Sequence, residues 1–194
     1  MKITGGQWRG RPILMPKSNV VRPTQDRVRE ALFNLLMQVI PGARFLDLFA
    51  GSGAVGLEAL SRGASAAYFL EQDRTVFATL QKNLTAFHVP TSSAQNVNAL
   101  QWLGIVSSGI MNILPSTPFK IVFADPPYRW AQENGVAPLA RALQDKHILA
   151  PGGFFITETE RCTEPEPLEG YELVRDRLYG KTRLSVWRQL CKLN

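Results

Sequence analysis

The chain has 194 residues, 45% hydrophobic and 20% charged, with a formal net charge of +6. That composition fits one globular domain with its own core and excludes a disordered chain. No run approaches the roughly 18 apolar residues of a membrane span, the N-terminus lacks a signal peptide's apolar stretch, and two isolated cysteines predict neither disulfide nor metal site.

Residues 1–24, rich in Gly, Pro and Arg, predict a small hairpin or arm with extended pieces around 2–4 and 12–15. Thr24 offers an N-cap for a helix over 25–38, whose apolar face is Val28, Ala31, Leu32, Leu35 and Leu36. Arg27, Arg29 and Glu30 fall on its opposite face, and Pro41-Gly42 stops it. From there strands and helices alternate, as in a mostly parallel sheet. The predicted order is strand 43–49, helix 55–62, strand 66–70, helix 75–87, a weak strand 94–97 and a helix or turn 99–106. A loop over 107–118, the strand at Ile121, a helix over 136–143 and a strand over 153–159 follow, the last preceded by a Pro151-Gly152 turn. An acidic loop (161–169) leads to two alternating strands, 171–178 and 182–188, joined as an antiparallel hairpin by Tyr179-Gly180-Lys181. The expected division is a basic arm and helix over 1–40 and an α/β domain over 41–194.

Charge is distributed unevenly along this order. Residues 1–40 carry a net +5, residues 171–194 a net +4, and the intervening stretch a net −3. A neutral-to-acidic centre with basic ends suggests a polyanion gripped by the termini.

Two motifs carry chemistry. The first is Asp47-Leu48-Phe49-Ala50-Gly51-Ser52-Gly53-Ala54-Val55-Gly56 after the first strand, with Glu71 twenty residues past Gly51 at the end of the second. Glycines let backbone approach a ligand and the acid can bind ribose hydroxyls, which fits an adenosine ligand. Asp47 would lie near that ligand's middle, unwelcome beside a pyrophosphate and welcome beside a cationic amino group or sulfonium. S-adenosylmethionine is therefore favoured over NAD. Asn98 could pair with the adenine edge through its amide, or be a turn residue. The second motif is Ile121-Val122-Phe123-Ala124-Asp125-Pro126-Pro127-Tyr128. A buried strand runs into an acid, two prolines that cannot continue the ladder, and an aromatic. At the carboxyl edge of an α/β sheet, that set suits a planar, nitrogen-bearing group with an exocyclic amine.

Asp47-x-Phe49-x-Gly51-x-Gly53 with Asp125-Pro126-Pro127-Tyr128 resembles the class I amino-group S-adenosylmethionine methyltransferases. Arg22-Pro23-Thr24, the run Asp26 to Asn34, Gly5-Gly6 with Arg9-Gly10-Arg11, the run Gly56 to Ala64, and Tyr179-Gly180-Lys181-Thr182 are similar to the RsmD-type 16S rRNA guanine-N2 methyltransferases. The likeness runs nearly end to end. It implies a Rossmann-like α/β fold with a seven-stranded, mostly parallel sheet, an antiparallel C-terminal hairpin and a small basic N-terminal extension. It also implies methylation of guanine N2 in 16S rRNA of the small ribosomal subunit or an assembly intermediate; the cysteine usage makes a reducing cytoplasm the default compartment, and a monomer is expected. The cofactor residues implied are Asp47, Phe49, Ala50, Gly51, Gly53, Glu71, Gln72, Asn98 and Ala99, with Asn98 standing where many methyltransferases carry Asp. Asp125 and the Pro126 carbonyl would accept the amine's N–H bonds, Pro127 would fix the turn and Tyr128 would stack on the base. Arg9, Arg11, Arg22, Thr24, Arg27, Arg29, Lys181 and Arg183 would hold RNA, some of the arginines doubling as helix-surface ion pairs. A DNA adenine-N6 methyltransferase remains the alternative within this chemistry, and an NAD-linked oxidoreductase the alternative outside it.

Overall fold

The computed structural model describes residues 1–16, 26–105 and 117–191. Its seven strands form the expected mostly parallel sheet, ending in an antiparallel C-terminal hairpin. The chain divides into two compact units, Met1–Ala99 and Leu100–Asn194.

In the first unit β1 (Arg44–Asp47), β2 (Ala66–Glu71) and β3 (Ala94–Asn96) pair parallel in the order β3-β2-β1. Phe45, Leu46, Phe69 and Leu70 are all buried, which is why these strands read as apolar runs without alternation. Helix α1 (Asp26–Leu35), shorter than expected, lays Val28, Leu32 and Phe33 into the core. Helix α2 (Ala54–Ser61) follows β1, and α3 (Arg74–Ala86) starts where Asp73 accepts from the Thr75 and Val76 amides at 2.8 and 2.9 Å. A Cβ on Gly56 would lie 2.2 Å from Phe69 Cε1, so only glycine lets α2 sit this close to β2.

The N-terminal arm is the expected hairpin: Lys2 bridges Pro12, the Ile3 amide donates to the Arg11 carbonyl, and Ile3 and Ile13 are buried. Gly5-Gly6 presses it against the end of α2. The Gln7 amide donates to the Ser61 carbonyl at 2.8 Å, and a Cβ on Gly6 would stand 1.9 Å from that oxygen.

Arg29 is a correction. Expected on an RNA-facing surface, it is fully buried, its Nε 3.2 Å from Glu58 Oε2 and its Nη2 bonded to the Lys2 carbonyl and to Asp26. It faces inward because Glu58, also fully buried, needs cationic partners there. Glu58 accepts further from the Thr4 and Gly5 amides, the Thr4 hydroxyl and Arg62 Nε, each at 2.8 Å. Burial pushes its carboxyl up, but these donors and the two guanidiniums outweigh that and hold it below its usual range.

The second unit holds β4 (Phe119–Ala124), β5 (Leu149–Glu160), β6 (Tyr171–Tyr179) and β7 (Thr182–Gln189), in the order β4-β5-β7-β6. Only the β4–β5 pair is parallel. Helix α6 (Ala137–Asp145) buries Leu139, Ala140 and Leu143, and the Tyr171 hydroxyl donates to the Ala140 carbonyl at 2.9 Å. Two local expectations change. Pro151-Gly152 lies inside β5 rather than before it. Tyr128–Asn134 forms a helix, α5, that periodicity did not suggest, because a proline with φ −50° at its N-cap starts a helix as readily as it ends a strand. Ala99–Trp102 is a one-turn helix, α4, and most of the expected 107–118 loop lies outside the described residues. Among the described residues no helix is long and apolar enough to cross a membrane, and no three His, Cys, Asp or Glu side chains cluster to hold a metal.

Candidate active site

In the first unit, the turn from β1 into α2 is built from glycines that other residues could not replace. Gly51 and Gly53 have φ of +55° and +84°, and a Cβ on Gly53 would meet Leu80 Cδ1 at 2.5 Å. Glu71 ends β2 with one carboxylate oxygen accepting from the Gly51 amide at 2.9 Å and the other from the Asp73 amide at 2.8 Å. The expected ribose acid thus also anchors the glycine turn. A carboxylate has about four lone-pair sites, so further acceptor capacity remains for a hydroxyl. Burial raises the Glu71 carboxyl above its usual range, opposed by the Asp73 and Gly51 amides.

Asp47, at the end of β1, is 1% exposed, Phe49 is half-buried, and Ala50 is pinned by its amide to the Leu70 carbonyl at 2.8 Å. The ends of β2 and β3 bring the remaining candidates together: Asn98 Nδ2 donates to Gln72 Oε1, and Asn96 Nδ2 to the Glu71 and Gln72 carbonyls at 2.8 and 3.1 Å. Ala99 is buried at the start of α4. Tight glycine backbone, an acid at the end of β2 and amide side chains beside it fit an adenosine ligand. No side chain caps α2, leaving that end to backbone chemistry.

Asn83 holds this turn from behind and was not anticipated. Its Nδ2 donates to the Ser52 carbonyl at 2.8 Å and the Leu14 carbonyl at 3.0 Å, while Oδ1 accepts from the Leu14 amide at 2.9 Å. One buried amide therefore ties the glycine turn to the arm. The signal was present: Asn83 shares the helical face of Val76, Leu80 and Phe87, where a polar residue has to have partners.

In the second unit, β4 delivers Asp125 at its carboxyl end. Asp125 is half-buried, Pro126 buried, Pro127 exposed at the α5 N-cap and Tyr128 half-buried as the first residue of α5. The Pro127 carbonyl accepts from Ala131, opening the helix, so the Pro-Pro step converts a strand end into a fixed turn.

The proposed RNA-holding residues separate sharply. Arg9, Arg27 and Lys181 are exposed. Arg11 is half-buried, its Cζ 4.3 Å from the Phe87 ring centroid and its Nη2 donating to the Ala86 carbonyl at 2.7 Å. Arg183 is a second correction: only 7% of its side chain is exposed, and Nη1 and Nη2 grip the two Glu164 oxygens at 2.6 and 3.0 Å. A buried, bidentate guanidinium has no fork to offer a phosphate. Arg22 and Thr24 lie outside the described residues.

The family model described as Conserved hypothetical protein 95 matches residues 1–188. The Escherichia coli (strain K12) ribosomal RNA small subunit methyltransferase D is 49% identical over 190 residues, covering 97% of this chain and 90% of that protein. A solved structure of yhhF from Escherichia coli superposes with a TM-score of 0.81 at 36% identity, covering 99% of each chain. A structure of SMU.776 complexed with SAH shares the fold alone, with a TM-score of 0.63 at 16% identity over 87% of this chain and 50% of that one.

Proposed function

The chain belongs to the Conserved hypothetical protein 95 family, that of the small-subunit ribosomal RNA methyltransferases D, and from that membership we propose that it methylates the exocyclic N2 of one guanine in 16S rRNA. The donor is S-adenosylmethionine, and the substrate is the small subunit or an assembly intermediate, met by a cytoplasmic monomer. The observation that carries the amine chemistry is Asp125-Pro126-Pro127-Tyr128 at the carboxyl end of β4, rigidly turned into α5.

Asp47, Phe49, Ala50, Gly51, Gly53, Glu71, Gln72, Asn98 and Ala99 hold the cofactor, with Glu71 accepting from ribose hydroxyls. When bound, the cofactor would supply a methyl group already activated by its sulfonium, the sulfur keeping the C–S bonding pair and leaving as a neutral thioether. The guanine N2 lone pair is delocalised into the ring, so the chain's task is alignment. Asp125 and the Pro126 carbonyl accept the two N–H bonds and draw the nitrogen toward sp³ geometry, aiming its lone pair. Asp125 receives the proton that N2 loses as the C–N bond forms, and releases it to water. Tyr128 stacks on a base drawn out of its RNA stack, and Pro127 fixes the angle between acid and ring.

The test is transfer of labelled methyl to small subunits lacking the modification, with protein-free rRNA and duplex DNA alongside. Label on guanine N2, reduced at least about 100-fold by Asp125→Ala while cofactor still binds, is the expected result. Label on DNA adenine would keep the acid's role and overturn the substrate.

A further inference from the structure

Strand β6 pairs on one side only among the described residues, with β7, and carries a register shift between Leu173 and Arg175. The shift changes which side chains share a face. Arg175, Arg177 and Tyr179 stand opposite Val186, Leu184 and Thr182, while Asp176 and Leu178 stand opposite Ser185 and Arg183 on the other face. Asp176, between the two arginines, falls on the other face by strand alternation, and the shift brings Glu172, opposite Arg188, onto the arginine face. Asp176 accepts from the Ser185 hydroxyl at 3.0 Å and lies 3.8 Å from Arg183 Nε.

On the arginine face Glu172 is taken by Arg188, Glu158 on β5 opposite Leu184 is buried, and the exposed side chains of β6 past the shift are cationic. Arg175 and Arg177 are exposed, and their guanidiniums donate to the preceding carbonyls, Val174 at 2.7 Å and Asp176 at 2.9 Å. Arg183 and Arg188 of the partner strand are engaged by Glu164 and Glu172, each at 2.6 Å, whereas among the described residues no carboxylate approaches Arg175, Arg177, Lys181 or Arg161 within 4.0 Å. Lys181 occupies the exposed β6–β7 turn, which Arg161 braces: its amide donates to the Lys181 carbonyl at 2.9 Å and its Nη1 to the Gly180 carbonyl at 3.2 Å. Glu160, at the end of β5 on this face, accepts from Gln132 Nε2 at 2.7 Å.

The strip also lies where a substrate strand would have to pass. Ala124 pairs with Thr157, and β5 runs on to Glu160, which faces Thr182, which in turn faces Tyr179. The turn therefore sits at the sheet edge where β4 ends and Asp125 begins. Three strand spacings, about 14 Å, separate β4 from β6, within reach of a few nucleotides on either side of one base.

Building on the rRNA reading above, we propose that Arg175, Arg177, Tyr179 and Lys181, backed by Arg161, form a contact strip for single-stranded RNA flanking the base presented to Asp125. Guanidiniums two residues apart on one strand face take successive phosphates, and the half-buried Tyr179 ring between them and Lys181 offers a stacking face.

The test is binding of protein-free 16S rRNA across a salt series by the wild type and by the Arg175→Gln, Arg177→Gln double variant. With two phosphate contacts gone, the log–log salt slope should fall by about 1.4. Affinity should drop about tenfold at low salt, KM should rise with little change in kcat, and melting and cofactor binding should stay as in the wild type. A variant with wild-type affinity and slope would overturn the strip. So would a defect confined to the assembled particle with an unchanged slope, which would mean a protein contact there. Where the wild type binds only the small subunit, the same salt series is run on that particle with the same expected fall in slope. A wild type that binds neither protein-free rRNA nor the small subunit at any salt would instead bring down the rRNA reading itself, a result told apart because the wild-type curves alone reveal it.

Discussion

Both ends of the chain are basic, yet the two ends use their cations in opposite ways. At the N-terminal arm and α1, Arg29 is buried against Glu58, Arg62 at the end of α2 bonds the same carboxylate, and Arg11 lies over Phe87. These guanidiniums fasten the arm to α2 and α3. In the C-terminal hairpin, Arg183 and Arg188 have carboxylates to themselves, and β6 still presents Arg175 and Arg177. A segment's net charge counts cations; it does not say which of them face outward. The position of the acids decides that, since Glu58 lies 0% exposed beneath the arm while Asp176 is turned to the far face of β6.

The comparison breaks most visibly at Glu58. Glu58→Ala would remove the buried carboxylate from Arg29 and leave it only the half-exposed Asp26, and the expected loss is about 3–5 kcal/mol in urea unfolding. The Arg175→Gln, Arg177→Gln chain should stay within about 0.5 kcal/mol of wild type. Equal stability of the two variants would erase the distinction between the ends. The same contrast has a pH signature. Glu58 is held below the ordinary glutamate value of 4.5, so its contribution is present above that value and lost as pH falls through the lower folded one. Glu71 is raised above 4.5, so its contribution is full below that value and lost as pH rises through the folded one. Glu58→Gln should therefore flatten the acid limb of the stability profile below about pH 4.5, and Glu71→Gln should not.

Next in size is Asn83→Ala, which leaves the Leu14 amide and the Ser52 and Leu14 carbonyls without their side-chain partner. A cost of about 1–3 kcal/mol is expected in unfolding, with weaker cofactor binding by calorimetry because the glycine turn loses its brace. Cofactor affinity equal to wild type would limit Asn83 to the arm.

Most of the architecture was legible in the sequence because its signals are local. Apolar runs at Phe45 and Phe69, Gly51, Gly53 and Gly56 in a tight turn, and the two-residue turn at Gly180-Lys181 each leave a mark within a few positions. The glycine turn and the Asp125 strand end were both found this way. What was missed depended on distant partners. Nothing within four residues of Arg29 shows that Lys2 and Glu58 will enclose it, and nothing near Arg183 points to Glu164. Helix α5 was missed for another reason: Pro126-Pro127 carries both a strand stop and a helix start, and sequence periodicity over Tyr128–Asn134 is too short to choose.

The smallest effect tests the comparison inside the arm itself, where Arg9 and Arg11 stand two positions apart. Arg9 is exposed at the hairpin tip beside Gly10, whose φ of +86° makes the turn. Arg11 bonds the Ala86 carbonyl and lies 4.3 Å from the Phe87 ring centroid and 5.9 Å from that of Trp8. Arg11→Gln should cost about 1 kcal/mol of stability through the lost cation–π contacts and leave the salt slope of rRNA binding unchanged. Arg9→Gln should do the reverse, lowering the slope by about 0.7 with no change in melting. If both variants lowered the slope equally, the stacked guanidinium would be reaching RNA as well, and the arm would hold the polyanion with every cation it shows. If only Arg9 does so, neighbours of identical charge serve different ends because one has a ring and a carbonyl beneath it and the other does not.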